Sequence, residues 1–206
     1  LYTTAKSDYS GRSTVPVLWD KARDTIASNE SADIIRMFNS AFNDISGNER
    51  DFYPGPMRAD IEAWNERIYP AINNGVYRAG FATSQEAYEE AYQEVFAELD
   101  HIDAHLADNR YLLGEVLTEA DIRLFTTLIR FDAVYHGHFK CNRQRLEDFE
   151  HLPGYIRDIY QLPGVADTVD FDHIKTHYYA SHRGINPTGV VPLGPDIDYH
   201  SPHKRG

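Results

Sequence analysis

One cysteine, Cys141, stands among 206 residues, so no disulfide can form within the chain. A reducing, cytoplasmic setting is the expectation. Long apolar runs are missing too: residues 15–19 are cut off by Asp20, whereas a membrane-spanning helix needs about 20 apolar residues. Basic side chains are scarce, 20 Lys and Arg against 32 Asp and Glu, which leaves a net charge of -12. Phosphate backbones are held by clusters of Lys and Arg, so nucleic acid is excluded as a partner. The acidic excess would suit a salt-adapted source, yet a charged fraction of 25% is ordinary for a soluble domain. No stretch reads as a secretion signal. Leu1 rather than Met stands first, which leads to the expectation that the sequence opens inside a longer chain.

What is present is the composition of a globular protein, 42% hydrophobic, with length enough for a sizeable core. Residues 14–19 form a β-rich run, and 25–27 form a second one after a polar turn. Together they read as a hairpin. A helix follows, with Ser31 as its N-cap and with Ile34, Ile35 and Phe38 on one face. Turn formers fill residues 46–56, and beyond them the chain reads as helices punctuated by Pro and Gly. The change of character places a domain boundary near residue 45, with β-β-α over 1–45 and an all-helical domain over 46–206. Pro70 should kink or end a helix over 60–74, and Gly75 and Gly80 should bracket a connection.

Thr83-Ser84-Gln85-Glu86 reads as a capping box ahead of a long amphipathic helix that ends near Leu106. Thr118-Glu119-Ala120-Asp121 reads as a second, with Leu117 and Ile122 placed as a hydrophobic staple before a buried helix through residue 135. Shorter helices are expected over 155–161 and 171–180. The tail beyond Arg183 contains Pro187, Pro192, Pro195 and Pro202, so it should run as an extended loop packed on a surface.

A hairpin and one helix cannot bury their faces alone, so further strands are expected upstream. A β-β-α unit ahead of an all-helical domain, with Val15-Pro16-Val17 opening the first strand, resembles the back half of a thioredoxin-like domain joined to a glutathione-transferase helical domain. The fold class is therefore an α/β remnant plus an all-α part. The likeness has detail. Val15-Pro16-Val17-Leu18-Trp19-Asp20, Asn29-Glu30-Ser31-Ala32-Asp33, Val76-Tyr77-Arg78-Ala79-Gly80, Tyr111-Leu112-Leu113-Gly114, Gly137-His138-Phe139-Lys140-Cys141-Asn142 and His177-Tyr178-Tyr179 resemble the glutathionyl-hydroquinone reductases, the Xi class of glutathione transferases. The Glu119-Ala120-Asp121 cap recurs in many glutathione transferases, whereas the Gly137–Asn142 motif is more specific. The family's Cys-Pro-Trp-Ala segment has no counterpart among residues 1–206, so the resemblance places the catalytic cysteine upstream of Leu1.

The resemblance implies roles residue by residue. Pro16 would be a cis-proline that turns the Val15 backbone toward the cysteinyl part of glutathione; the alternative is a trans edge-strand proline. Glu30 and Ser31 would hold the two charges of the γ-glutamyl end, or simply cap a helix with a solvated carboxylate. Tyr77, Tyr135 and Tyr178 would face the hydroquinone, although among 14 tyrosines any one can also merely pack. Cys141 lies near His136 and His138, which could activate it as a nucleophile, but the resemblance gives it a packing role. His136, His138, His177 and His182 lack acidic partners at ligand spacing, so no metal site is expected.

The activity implied is glutathione-dependent reduction of glutathionyl-hydroquinones through a cysteine–glutathione mixed disulfide. It needs no bound cofactor, takes glutathione as co-substrate, and goes with a homodimer. Two rivals stay open: a glutathione-conjugating transferase, and a noncatalytic assembly module of the same fold.

Overall fold

The computed structural model describes residues 1–206 and divides into two units, Leu1–Gly55 and Pro56–Gly206. The division falls in the turn-rich stretch that the sequence marks at 46–56. In the first unit a single turn, α1 (Tyr2–Ala5), precedes strands β1 (Leu18–Asp20) and β2 (Thr25–Ser28), which pair antiparallel. The Asp20 carboxylate closes their turn by accepting from the backbone of Ala22 (2.9 Å) and Arg23 (3.0 Å), the usual role of an Asx side chain. Strand β1 is shorter than the apolar run suggested, because pairing begins only at Leu18.

Helix α2 (Ser31–Ser40) corrects the cap assignment: Glu30 occupies the N-cap and Ser31 is the first helical residue. Ile34 is buried as expected, but Phe38 is 55% exposed, its ring 5.4 Å from Phe42. A further short turn, α3 (Asn43–Ser46), ends at Gly47 in the left-handed region, φ 65°.

The second unit is helical. Helix α4 (Arg58–Ile68) gives way to a wide π-helical turn over Tyr69–Asn73 that contains Pro70, as a residue without a backbone donor requires. Gly75 and Gly80 then bracket a helix, α5 (Gly75–Gly80), not a connection. The reason is tertiary: a Cβ on Gly80 would lie 2.2 Å from the Phe139 ring, and one on Gly75 would lie 3.0 Å from Val95. Close packing, not chain reversal, selects glycine there.

Helix α6 (Gln85–His105) starts at Ser84, whose hydroxyl accepts from Ala87 N at 3.2 Å. Its N3 residue is thus Ala87, so Glu86 does not complete the expected box. Helix α7 (Glu119–Arg130) has the full capping box of Thr118 and Asp121 and runs into a π-helical turn, Phe131–Tyr135. Helices α8 (Leu152–Tyr160) and α9 (Phe171–Ser181) follow. The tail beyond forms no helix or strand but is tied down. Gln161 Nε2 donates to Tyr199 O (2.8 Å) and Ser201 O (2.7 Å). The Arg205 guanidinium donates to the carbonyls of Leu106 (3.0 Å) and Arg110 (3.1 Å), and also to that of Asn109, which ties the tail to the loop that follows α6. No helix is long and apolar enough to cross a membrane.

Asp121 is fully buried yet accepts four hydrogen bonds: from Leu112 N (2.8 Å), Thr118 N (2.9 Å), Thr118 Oγ1 (3.0 Å) and Tyr155 Oη (2.9 Å). Burial pushes its carboxyl up while these donors pull it back. One carboxylate thus joins the 111–118 loop, α7 and α8. Asp121→Ala strands several buried donors at once, and the expected loss is about 3 to 5 kcal/mol of unfolding free energy, read from urea denaturation.

Candidate functional site

The residues expected to carry the chemistry fall into two sets, one in each unit. In the first unit, Val15, Pro16, Glu30 and Ser31 are all exposed, Val15 at 89%. The Val15–Pro16 peptide is cis. Glu30 leads α2, its backbone N–H donating to Ser28 Oγ at 3.1 Å. The residues just before these pairs meet: Asn29 Nδ2 lies 3.5 Å from Thr14 Oγ1, and both side chains touch the Tyr2 hydroxyl.

In the second unit the structure brings Tyr77, Tyr135 and Tyr178 together from α5, the π-helical turn after α7, and α9. Tyr135 Oη lies 2.9 Å from Tyr178 Oη and 3.5 Å from Tyr77 Oη, and the Tyr77 and Tyr178 hydroxyls also hydrogen-bond directly. The ring centroids are 5.5 to 6.3 Å apart. Phe139, fully buried over Gly80, stacks on Tyr135 at 5.4 Å and meets Tyr77 edge-on at 5.3 Å. Phe81 and His182 extend the aromatic wall with centroids 5.1 Å apart. Phe81, Phe139 and His182 were not among the expected site residues. Phe139 falls within the Gly137–Asn142 motif and His182 enters only as a candidate metal ligand, yet each of the three stands four residues after one of the tyrosines, a helical spacing that could have linked them to the site.

Burial, reinforced by the neighbouring Tyr178 and Tyr77, pushes the Tyr135 phenol well above its ordinary value. Burial and Tyr77 likewise push Tyr178 up. Both therefore keep their protons at neutral pH and remain donors. Beside them His138 Nε2 lies 3.2 Å from His182 Nδ1. Burial, then the proximity of His182 and Lys140, lowers His138 to about 4. His182 is lowered by burial and by His177. Two imidazoles forced this close cannot both be charged cheaply. No group of three or more His, Cys, Asp and Glu side chains is arranged to hold a metal ion.

Cys141 is fully buried, and burial pushes its thiol up to about 12. Its backbone N–H donates to Tyr135 O at 3.0 Å, so the residue anchors the turn that carries the tyrosine. Two grooves elsewhere in the helical unit, of about 520 and 530 Å³, contain none of the three tyrosines: one is lined by Trp64, Arg67 and Leu112, the other by His151, Arg157 and His203.

The fold is that of a glutathione transferase, and residues 85–158 match the family described as Glutathione S-transferase, C-terminal domain. The whole chain is 56% identical to the glutathionyl-hydroquinone reductase YqjG of Escherichia coli strain K12 and spans 62% of its length. The glutathione-bound structure of that protein superimposes with a TM-score of 0.96, covering 99% of this chain and 66% of that one. The glutathionyl-hydroquinone reductase PcpF of Sphingobium chlorophenolicum is 51% identical over 95% of the chain, which spans 62% of that relative. The Xi glutathione-S-transferase of Phanerochaete chrysosporium is 48% identical with a TM-score of 0.92, covering 98% of this chain and 69% of that one. The chain belongs to the Xi class of glutathione transferases, the family of the glutathionyl-hydroquinone reductases.

Two measurements check the electrostatics. A thiol held near 12 has a thiolate fraction about a thousandfold or more below that of a free cysteine at pH 7.5, so a maleimide should label Cys141 slowly until urea unfolds the chain. For His138 the folded value of about 4 lies below the ordinary 6.5 of a histidine. As pH falls, the unfolded chain takes up this proton first. Its effect on stability is therefore nil above pH 6.5 and destabilising as pH drops toward 4. In His138→Gln, the fall in unfolding free energy between pH 6.5 and 4 should be smaller.

Proposed function

We propose that the complete protein reduces glutathionyl-hydroquinones to hydroquinones, with glutathione as co-substrate and no bound cofactor. The observation that carries this reading is the meeting of three phenolic hydroxyls, within 3.5 Å of one another, from positions separated by 43, 58 and 101 residues. Three donors with apolar flanks suit a ring that bears oxygens on its edge and must lie in a largely apolar slot. In the first unit, the exposed Val15 backbone pairs with the cysteinyl part of glutathione as a strand would. The Glu30 carboxylate holds the tripeptide's ammonium, and Ser31 with the start of α2 holds its γ-glutamyl carboxylate.

In this reading a cysteine thiolate attacks the glutathione sulfur of the conjugate. An S–S bond forms as the ring C–S bond breaks, and the electron pair left on the ring carbon takes up a proton. A second glutathione, as thiolate, attacks the mixed disulfide, which releases oxidised glutathione and restores the enzyme thiolate. Cys141 is not that nucleophile: it is buried and its thiol is held near 12, far above the range of reactive cysteines. The nucleophile belongs to a Cys-Pro-Trp-Ala segment of the complete protein. The tyrosine protons steady charge on the ring oxygens as the C–S bond breaks. The resemblance extends the reading to a homodimer working in the cytoplasm, the first point being open to light scattering.

Steady-state kinetics on the complete protein with a glutathionyl-hydroquinone test the reading. Formation of hydroquinone together with one oxidised glutathione per turnover is expected; consumption of glutathione without disulfide would instead indicate a conjugating transferase. Tyr178→Phe should leave glutathione binding nearly intact while slowing release of hydroquinone. A neutral hydrogen bond is worth about 0.5 to 1.5 kcal/mol, whereas a donor aimed at developing charge is worth roughly 3 kcal/mol. A loss near tenfold shared between kcat and KM thus assigns Tyr178 to holding the ring, and a loss near a hundredfold in kcat alone assigns it to the reacting state. Unchanged kinetics in Tyr77→Phe, Tyr135→Phe and Tyr178→Phe alike would refute the tyrosine site.

A further inference from the structure

Tyr2 is the first side chain of α1, and its hydroxyl sits at a junction of three chain segments. It donates to Thr14 O at 2.8 Å and lies 3.0 Å from Thr14 Oγ1. It accepts from Asn29 Nδ2 at 3.2 Å and, more weakly, from Thr14 N at 3.4 Å. The ring is supported by Tyr9, with centroids 4.9 Å apart, and the Tyr9 hydroxyl in turn donates to Arg12 O at 2.6 Å. Two neighbouring tyrosines thus hold the 12–14 segment by its carbonyls.

The positions held are informative. Thr14 immediately precedes Val15, and Asn29 immediately precedes Glu30. The Thr14 carbonyl and the Val15 N–H belong to one planar peptide unit. Fixing the carbonyl against Tyr2 therefore fixes the direction in which the Val15 N–H points. The bond to Asn29 runs through its side-chain amide and ties the residue just ahead of Glu30 to the same hydroxyl. Glu30 is also held by its N–H bond to Ser28 Oγ and by the first turn of α2, whereas strand pairing begins only at Leu18 and Val15 and Pro16 are exposed. Without the clamp, the Val15 segment must be ordered at the moment of binding, which weakens affinity.

We infer that Tyr2 is a positioning residue for glutathione, its hydroxyl joining Thr14 to Asn29 and so aligning the Val15 backbone with the Glu30–Ser31 helix start. The inference rests on the glutathione reading given above. It assigns no contact between Tyr2 and the tripeptide; Tyr2 acts through its two neighbours.

The test is Tyr2→Phe in the complete protein, which keeps the ring and its contact with Tyr9 and deletes only the hydroxyl. Calorimetric titration with glutathione should show an affinity about three- to tenfold lower, the equivalent of one or two neutral hydrogen bonds. KM for glutathione should rise by a similar factor while kcat at saturating glutathione changes less than twofold. Asn29→Ala, which removes the other arm, should act in the same direction, and it serves in place of Tyr2→Phe if that variant does not fold. Glu30→Gln is measured alongside. If Glu30→Gln weakens glutathione binding while Tyr2→Phe and Asn29→Ala bind as tightly as the parent, the inference is overturned and the glutathione reading stands. If Tyr2→Phe lowers the melting temperature with KM for glutathione unmoved, the hydroxyl is purely structural and the inference is again overturned. If neither Glu30→Gln nor Ser31→Ala weakens binding, the glutathione reading itself fails.

Discussion

The helical unit depends on one carboxylate. Asp121 sits where α7 begins, inside the protein, and its two oxygens are shared among the 112 amide, Thr118 and the Tyr155 hydroxyl. A carboxyl group in so dry a place is tolerated only because its oxygens have hydrogen-bond partners. The return is positional. A helix start fixed from the loop before it and from α8 beside it leaves α7 little freedom to slide or rotate. Helix α7 runs directly into the π-helical turn that ends at Tyr135, so a cap at residue 121 sets the depth and direction of a phenol at residue 135.

Around that phenol, packing constraints interlock. Phe139 fills the space that Gly80 leaves open, and its ring lies against Tyr135, Tyr77 and Tyr178 at once. Cys141 sits just behind, its amide bonded to the Tyr135 carbonyl. The lone thiol is thus part of the scaffold, and the burial that makes it a good packing element also makes it a poor nucleophile. The same burial holds Tyr135 and Tyr178 in their protonated forms. One physical cause, exclusion of water from this corner, silences the cysteine and equips the tyrosines as donors.

Local chemistry was legible in the sequence where it acts locally. The Thr118–Asp121 cap, the break at Pro70, the long helix behind Ser84 and the irregular proline-rich tail follow from side chains within a turn of where they act. Legibility ended where the deciding partner lies far along the chain. Gly75 and Gly80 look like breakers, and only Val95 and Phe139 reveal them as helical residues chosen for lack of a side chain. Ser31 looks like an N-cap, yet the backbone at Glu30 takes that place. The Tyr2–Thr14–Asn29 junction spans 12 and 27 residues and has no periodic or compositional mark. The tyrosine trio, separated by as many as 101 residues, could be chosen from 14 tyrosines only through resemblance to a family; no pattern in residues 1–206 distinguishes these three.

The trio also has an internal order that the family pattern does not express. Three hydroxyls in mutual contact have three protons and three acceptor oxygens, so a closed ring of hydrogen bonds leaves no donor for anything else. An incoming ring oxygen must therefore open one side. The Tyr77–Tyr135 contact, at 3.5 Å, is the longest, while Tyr135–Tyr178 is 2.9 Å and Tyr77–Tyr178 is shorter still. Bonds weaken with length, and a contact at 3.5 Å contributes least. Exposure points the same way: Tyr135 is 2% and Tyr178 6% exposed, while Tyr77 is half-buried. The side that opens first is the one joining the outermost phenol to the innermost. In the proposed reaction Tyr135 would keep its bond to Tyr178 and act through it, and Tyr77 and Tyr178 would be the two that meet the ring. The deepest of the three tyrosines is thus the support on which the other two are aimed.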